Sequence, residues 1–295
     1  MKPCIAAGFM FGGFPFERAI EEIARAGYRH LEVHFGSHGI TLDAADDFLA
    51  ERRRLMESHG VRPHAFFGYA RLAAPDEETR GKAVTEFRRQ IEMARVFGCQ
   101  LFTTEMSGGN TTDKDICLRH FRRSVDEIIP DLERAGLRAS FMPHPGDFVE
   151  KHYPALEILR GFRSDRIGYL YSCPHTFILN GEAGRMIEDA GDMLSHVQIA
   201  DTFRLERFVV AYAPKGHINM LKTPEYAGVM NAHTHLVPGR GEVDFPAIFR
   251  ALGKIGYRGA VSAIPFGSDD AVELAYESYR RIKEYAEAHT GVTVS

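Results

Sequence analysis

Short apolar runs alternate with longer amphipathic stretches along the whole chain. Runs of strand length begin at Ile5–Phe9 and recur at Leu31–Phe35, Pro63–Phe67 and Leu101–Glu105. Four more follow at Leu137–Met142, Ile167–Ser172, His196–Asp201 and Gly259–Ile264. Between them the apolar residues return every three or four positions, as in Phe16, Ala19, Ile20, Ile23 and Ala24, which is the stripe of a helix lying on a core. The spacing predicts helices from Phe16, and over about 45–59, 76–97, 112–135, 155–161, 183–193, 244–255 and 269–289. Most of them stop at a glycine (Gly27, Gly60, Gly98, Gly136, Gly161, Gly256), the residue that ends a helix in the left-handed conformation without strain.

Strand followed by helix, eight times over, predicts an α/β chain closed into a (β/α)8 TIM barrel rather than an open doubly wound sheet. No linker or shift of composition divides residues 1–295, which read as one domain. The rhythm breaks only at about 202–244, an insertion between the seventh strand and its helix with no predicted element of its own. Connections of that length are functional or disordered in compact proteins.

Composition narrows the partners. A formal net charge of −4 gives no electrostatic reason for nucleic acid binding. The four cysteines are scattered without a CxxC pair and read as reduced thiols. No stretch approaches a membrane span or a signal sequence, so the expected setting is the cytoplasm, away from membranes.

In a barrel of this kind chemistry sits where strands end. Pro143, Pro145 and Gly146 close the fifth strand and place His144 and Asp147 in its exit loop. The other strand ends offer His34, His64, Glu105, Met142, Ser172 with His175, Gln198 with Asp201, and Ile264; the long loop adds His233 and His235. Each histidine alone reads as a solvated or hydrogen-bonded side chain; together they predict a polar, imidazole-rich pocket. Cys173 at the same rim reads as a small packing residue, since no motif makes it a nucleophile.

Four segments carry a resemblance: Pro143–Phe148, Pro174–Phe177, His196–Asp201, and His235–Phe245 leading into the last turns of the barrel, with Gly256–Val261 before the eighth strand. In these the chain resembles the xylose-isomerase-like barrels, the sugar phosphate isomerases and epimerases, over nearly its full length. The resemblance implies a divalent cation held by glutamate, aspartate, histidine and glutamate at the ends of strands five to eight. It also implies proton transfer beside a carbonyl by the two glutamates. Carried over residue by residue, those positions are Met142, Ser172, Gln198 and Ile264. Methionine and isoleucine cannot hold a hard cation, and serine and glutamine do so weakly. The auxiliary residues remain: His175 matches a substrate-contacting histidine, and Asp201 and His235 stand in their motifs.

The expected activity is therefore isomerisation or epimerisation of a small polyhydroxylated or keto substrate by proton transfer, without the standard metal. Glu105, His144 and His175 are the expected catalytic residues, with His64, Gln198, Asp201, His235 and Arg240 contacting substrate. Two alternatives stay open. One is a sugar-binding barrel without turnover; the other keeps the enzyme and relocates a manganese, zinc, iron or nickel ion to Glu105 and the rim histidines. A nuclease of the apurinic type, which shares the barrel, would need many ligands at these same substituted positions. Homodimers and homotetramers are common in the resembling family.

Overall fold

A computed structural model describes residues 4–8, 11–108, 113–207, 209–212, 218–221, 234–266 and 270–290. The strands are β1 (Cys4–Ala7), β2 (His30–His34), β3 (Arg62–Phe67), β4 (Leu101–Glu105) and β5 (Arg138–Met142). They continue with β6 (Ile167–Ser172), β7 (Leu194–Ile199), β8 (Val209–Tyr212), β9 (Ile218–Leu221) and β10 (Ala260–Ala263). The helices are α1 (Phe16–Ala26), α2 (Asp46–Ser58), α3 (Glu77–Phe97), α4 (Lys114–Ala135) and α5 (His152–Arg160). After them come α6 (Cys173–Phe177), α7 (Ala183–Ala190), α8 (Phe245–Lys254) and α9 (Ala271–Thr290).

Eight parallel strands close in the order β1-β10-β7-β6-β5-β4-β3-β2, so neighbours in the ring are neighbours in the chain. This is the predicted (β/α)8 barrel. The outward faces of the strands are buried under the helices. Phe66 and Phe102, for instance, lie against Phe87 and Phe97 of α3, with ring centroids 4.5–6.1 Å apart. Phe141 meets Phe121 of α4 edge-on at 5.3 Å. Burying such rings on both faces of a parallel strand is the main apolar gain that holds the layers together.

Local signals place the helices. Asp76 accepts a hydrogen bond from the Thr79 amide at 2.8 Å and starts α3, and Asp244 does the same for α8 through Ala247 at 2.9 Å. Gly98 ends α3 at φ 73°, a conformation in which any other residue would be strained.

The stretch between β7 and α8 differs from the expectation of no element. A 3-10 turn (Leu205–Arg207) is followed by the antiparallel hairpin β8–β9. Asp201 and Leu236 then form an isolated bridge, with Asp201 N–H to Leu236 C=O at 2.7 Å and the return bond at 2.8 Å. The short α6, directly after β6, was also not predicted; it is a single turn opened by Pro174. Among the described residues no helix is long and apolar enough to cross a membrane.

Candidate active site at the carboxyl ends of the strands

Glu105 is the last residue of β4, paired in register with Met142 at the end of β5. The exit loop of β5 then brings His144 alongside: its Nε2 lies 4.0 Å from Glu105 Oε1. Both side chains reach solvent, Glu105 at 19% and His144 at 23% relative exposure. Burial nevertheless raises the Glu105 carboxyl above the ordinary carboxylate range, against the opposing pull of His144, and Asp147 adds to the rise. A carboxyl displaced in this direction keeps its proton to higher pH than an ordinary carboxylate does.

Three imidazoles follow one another along the rim. His144 meets His175 of α6 edge-on at 4.6 Å between centroids, and His175 meets His235 at 5.3 Å. Two of the three are fixed by backbone. His144 Nδ1 lies 2.8 Å from the Pro145 carbonyl and His235 Nδ1 lies 2.9 Å from the Ile264 carbonyl. A carbonyl only accepts, so each Nδ1 carries a proton, and wherever such a ring is neutral its Nε2 is an acceptor. Burial lowers the pKa of His235 to about 3, which keeps that ring neutral. His235 also stacks on Phe266 at 4.2 Å. His233, its sequence neighbour in the predicted rim, lies outside the described residues.

Of the positions that resemble metal ligands, Met142, Ser172 and Ile264 stand at this rim, and the Gln198 amide turns to the floor beneath it. Met142, Ser172, Gln198 and Ile264 are all buried, and Ser172 pairs in register with Gln198. They do not fit a hard divalent cation. Met142 and Ile264 present hydrocarbon and a thioether, and the Gln198 amide is engaged elsewhere. Gly8 makes room for Ile264, since a Cβ there would lie 2.6 Å from Ile264 Cγ2. Among the described residues Glu105 and the rim histidines bring no three donor atoms within 4.8 Å of one another. Among the described residues the one cluster with three donor atoms within 4.8 Å of one another is Glu17, Glu21 and His59, on the outer surface.

Beneath the rim lies a residue the sequence reading passed over. Glu32, on β2, is 1% exposed inside the barrel and is met from across the bore. Thr103 Oγ1 on β4 donates to Oε1 at 2.6 Å, and Gln198 Nε2 on β7 donates to both oxygens at 3.2 and 3.3 Å. His196 Nε2 lies 3.6 Å from Oε2 and 2.9 Å from Ser262 Oγ. Burial alone would raise this carboxyl, but the charge and hydrogen bond of His196, with His34 and Thr103, bring its pKa down to about 2. Glu32 is thus an ionised anchor. A signal existed in the sequence: Glu32 is two residues before His34, and alternate residues of a strand share a face.

Four expected site residues are placed elsewhere. His64 is near the start of β3, not its end, and belongs to the opposite mouth with His30 and His196, at ring distances of 6.1 and 5.9 Å. Gln198 serves the floor as described. Asp201 is fully buried, and its carboxylate accepts from the backbone N–H groups of Thr202, Gly239, Gly241 and Val243 at 2.8–3.0 Å. It pins the returning loop instead of facing a substrate. Gly241 is part of that cradle, because a Cβ would come within 2.4 Å of Asp201 Oδ1. Arg240 points outward to Glu277 and Glu273. Asp147 likewise holds its own loop, accepting from Gly108 N–H at 2.8 Å and Phe148 N–H at 2.7 Å. Cys173 is a packing residue as expected: its thiol donates to the Ala200 carbonyl at 2.8 Å, and burial pushes its pKa up.

With this arrangement in view, the chain belongs to the xylose isomerase-like TIM barrel family, whose profile matches residues 20–292. Among curated relatives it is 24% identical to an inosose dehydratase of Lacticaseibacillus casei, over 95% of this chain and 91% of that one. Among solved structures it is similar to the IOLI protein with a bound zinc atom, at TM-score 0.77 and 19% identity over 99% of this chain and all of that one. It is also similar to D-psicose 3-epimerase from Clostridium cellulolyticum H10 with D-tagatose, at TM-score 0.75 and 17% identity over 98% and 99% of the two chains.

Proposed function

We propose that the protein is a sugar isomerase/epimerase-like enzyme that moves a proton at the carbon beside a carbonyl, on a small polyhydroxylated or keto substrate. The observation that carries this reading is the pairing of Glu105, its carboxyl raised by burial, with His144 at 4.0 Å and the run of His175 and His235 beyond it. Glu105 takes the proton. His175 polarises the carbonyl or returns a proton to the oxygen, a role open to neutral histidine, while Nε2 of His144 and of His235 accepts from substrate hydroxyls. The relatives support the substrate class: one is an inosose dehydratase and one structure is a ketose epimerase holding D-tagatose.

The substituted positions Met142, Ser172, Gln198 and Ile264 supply no cation site, so no step is assigned to one there. A second reading has a specific observation behind it. His144 and His235 each donate Nδ1–H to a backbone carbonyl, the arrangement that orients metal-binding histidines. The test is turnover of a panel of ketohexoses and inososes by protein dialysed against chelator, with zinc or manganese then added back. Conversion without added metal is the expected result. Conversion that returns only with metal would replace this reading with the second; saturable binding without conversion would leave a sugar-binding barrel.

A further inference from the structure

The amino-terminal mouth of the barrel, opposite the rim, contains two adjoining cavities of about 440 and 400 Å³ that share His64 and Gln100. Arg138 and Arg258 line the larger and Arg53 and Arg62 the smaller, against only two carboxylates, Asp192 and Glu57. Glu57 is already held by Arg53 at 2.8 Å. Among the described residues neither Arg62 nor Arg258 has a carboxylate partner. On a chain of net charge −4 this is a local excess of positive charge.

Buried donors in the same walls lack acceptors. Arg138 Nη2 donates to the carbonyls of Asp192 at 3.1 Å and Ile167 at 3.4 Å, but its buried Nε meets none. His30 Nδ1 is likewise buried without a partner, as donor or acceptor according to its tautomer. Burial depresses the Arg138 pKa against the attraction of Asp165 and Asp192, so its charge is not fully compensated by protein. Burial and the neighbouring His196 and His30 lower His64 to about 3, so the positive charge here comes from the guanidiniums.

We propose that this mouth binds a small phosphate-bearing anion. Arg138 of β5 and Arg258 of the loop before β10 line one cavity and Arg53 and Arg62 the other, with His64 of β3 shared between them. A tetrahedral phosphate with several acceptor oxygens meets such a spread of guanidiniums better than a planar carboxylate does. The site is separate from the rim and does not depend on the catalytic reading.

The experiment is calorimetric titration of the full chain with inorganic phosphate, with sodium chloride of equal ionic strength as reference. A sugar phosphate and the same sugar without phosphate form two further arms. Saturable binding of about millimolar affinity or tighter is expected. Arg62→Gln and Arg258→Gln should each weaken it about tenfold, and Glu105→Gln should leave it unchanged. Both arginines are exposed, so the variants keep the fold, which circular dichroism checks. Tighter binding of the sugar phosphate would identify a phosphomonoester as the ligand; equal affinity would point to inorganic phosphate. No saturable heat from either phosphate, or undiminished binding by the double variant, would overturn the proposal.

Discussion

Glu105 and Glu32 occupy inward-facing positions of one barrel, on β4 and β2, and their surroundings drive them apart. Burial raises both. At Glu105 the main counterweight is a single imidazole 4.0 Å away, and the carboxyl stays raised. At Glu32 a hydroxyl, an amide and the imidazoles of His196 and His34 outweigh the burial and bring it to about 2. Burial sets the penalty on the charged form, and the partners decide the sign of the net shift. The first glutamate keeps a raised carboxyl at the rim, while the second is held as an anion in the pocket floor.

The contrast breaks most sharply under substitution. Glu105→Gln should lower turnover of any converted sugar by about a thousandfold, with no loss of thermal stability. The sign is informative. Because the folded pKa of Glu105 is raised, its stabilising effect exists below the unfolded value of 4.5 and is lost as pH rises through the folded one. The amide should therefore be neutral or slightly stabilising above that range. Glu32→Gln should do the opposite and destabilise the fold by about 3 kcal/mol, because donors from Thr103 and Gln198 would then face another amide in a dry bore. Urea unfolding of the two variants beside the wild type checks both.

Acid titration sharpens the same difference. The folded pKa of Glu32 is about 2 against 4.5 unfolded, so its contribution is complete above 4.5 and disappears as pH falls towards 2. The wild type should lose stability through that window, and Glu32→Gln should flatten this part of the curve. Smaller effects belong to residues outside the pair. Asp201→Asn should lose about 2 kcal/mol, from weakened bonds to the four loop amides, without changing the proton-transfer chemistry. Arg240→Gln, which removes an exposed ion pair with Glu277, should change stability by less than about 1 kcal/mol.

The barrel was legible because its periodicity repeats. The β4 and β6 boundaries fall where the apolar runs place them, and Gly98 and Gly136 mark helix ends through a backbone conformation that favours glycine. Of the candidate residues, the nearness of Glu105 and His144 was legible, because both lie at a strand end in the sequence. A residue's place was misread where it depends on which end of a strand the residue occupies. His64 is the second residue of its own apolar run, Pro63–Phe67, so strand direction alone puts the imidazole at the other mouth, and the sequence reading did not apply it. Asp201 looked like a substrate ligand because its real partners are backbone amides some forty residues on, which no side-chain pattern reveals. The β8–β9 hairpin lacks an apolar alternation strong enough to stand out among the prolines, glycines and histidines around it.

Proton exchange at the rim is best measured directly, by following deuterium uptake from D2O beside the carbonyl of ketoses and inososes with proton NMR, using chelator-treated protein. The wild type should exchange that hydrogen, and Glu105→Gln should not. Exchange that persists in Glu105→Gln, or that appears in the wild type only after a divalent metal is added, would contradict a glutamate-centred proton transfer at this site.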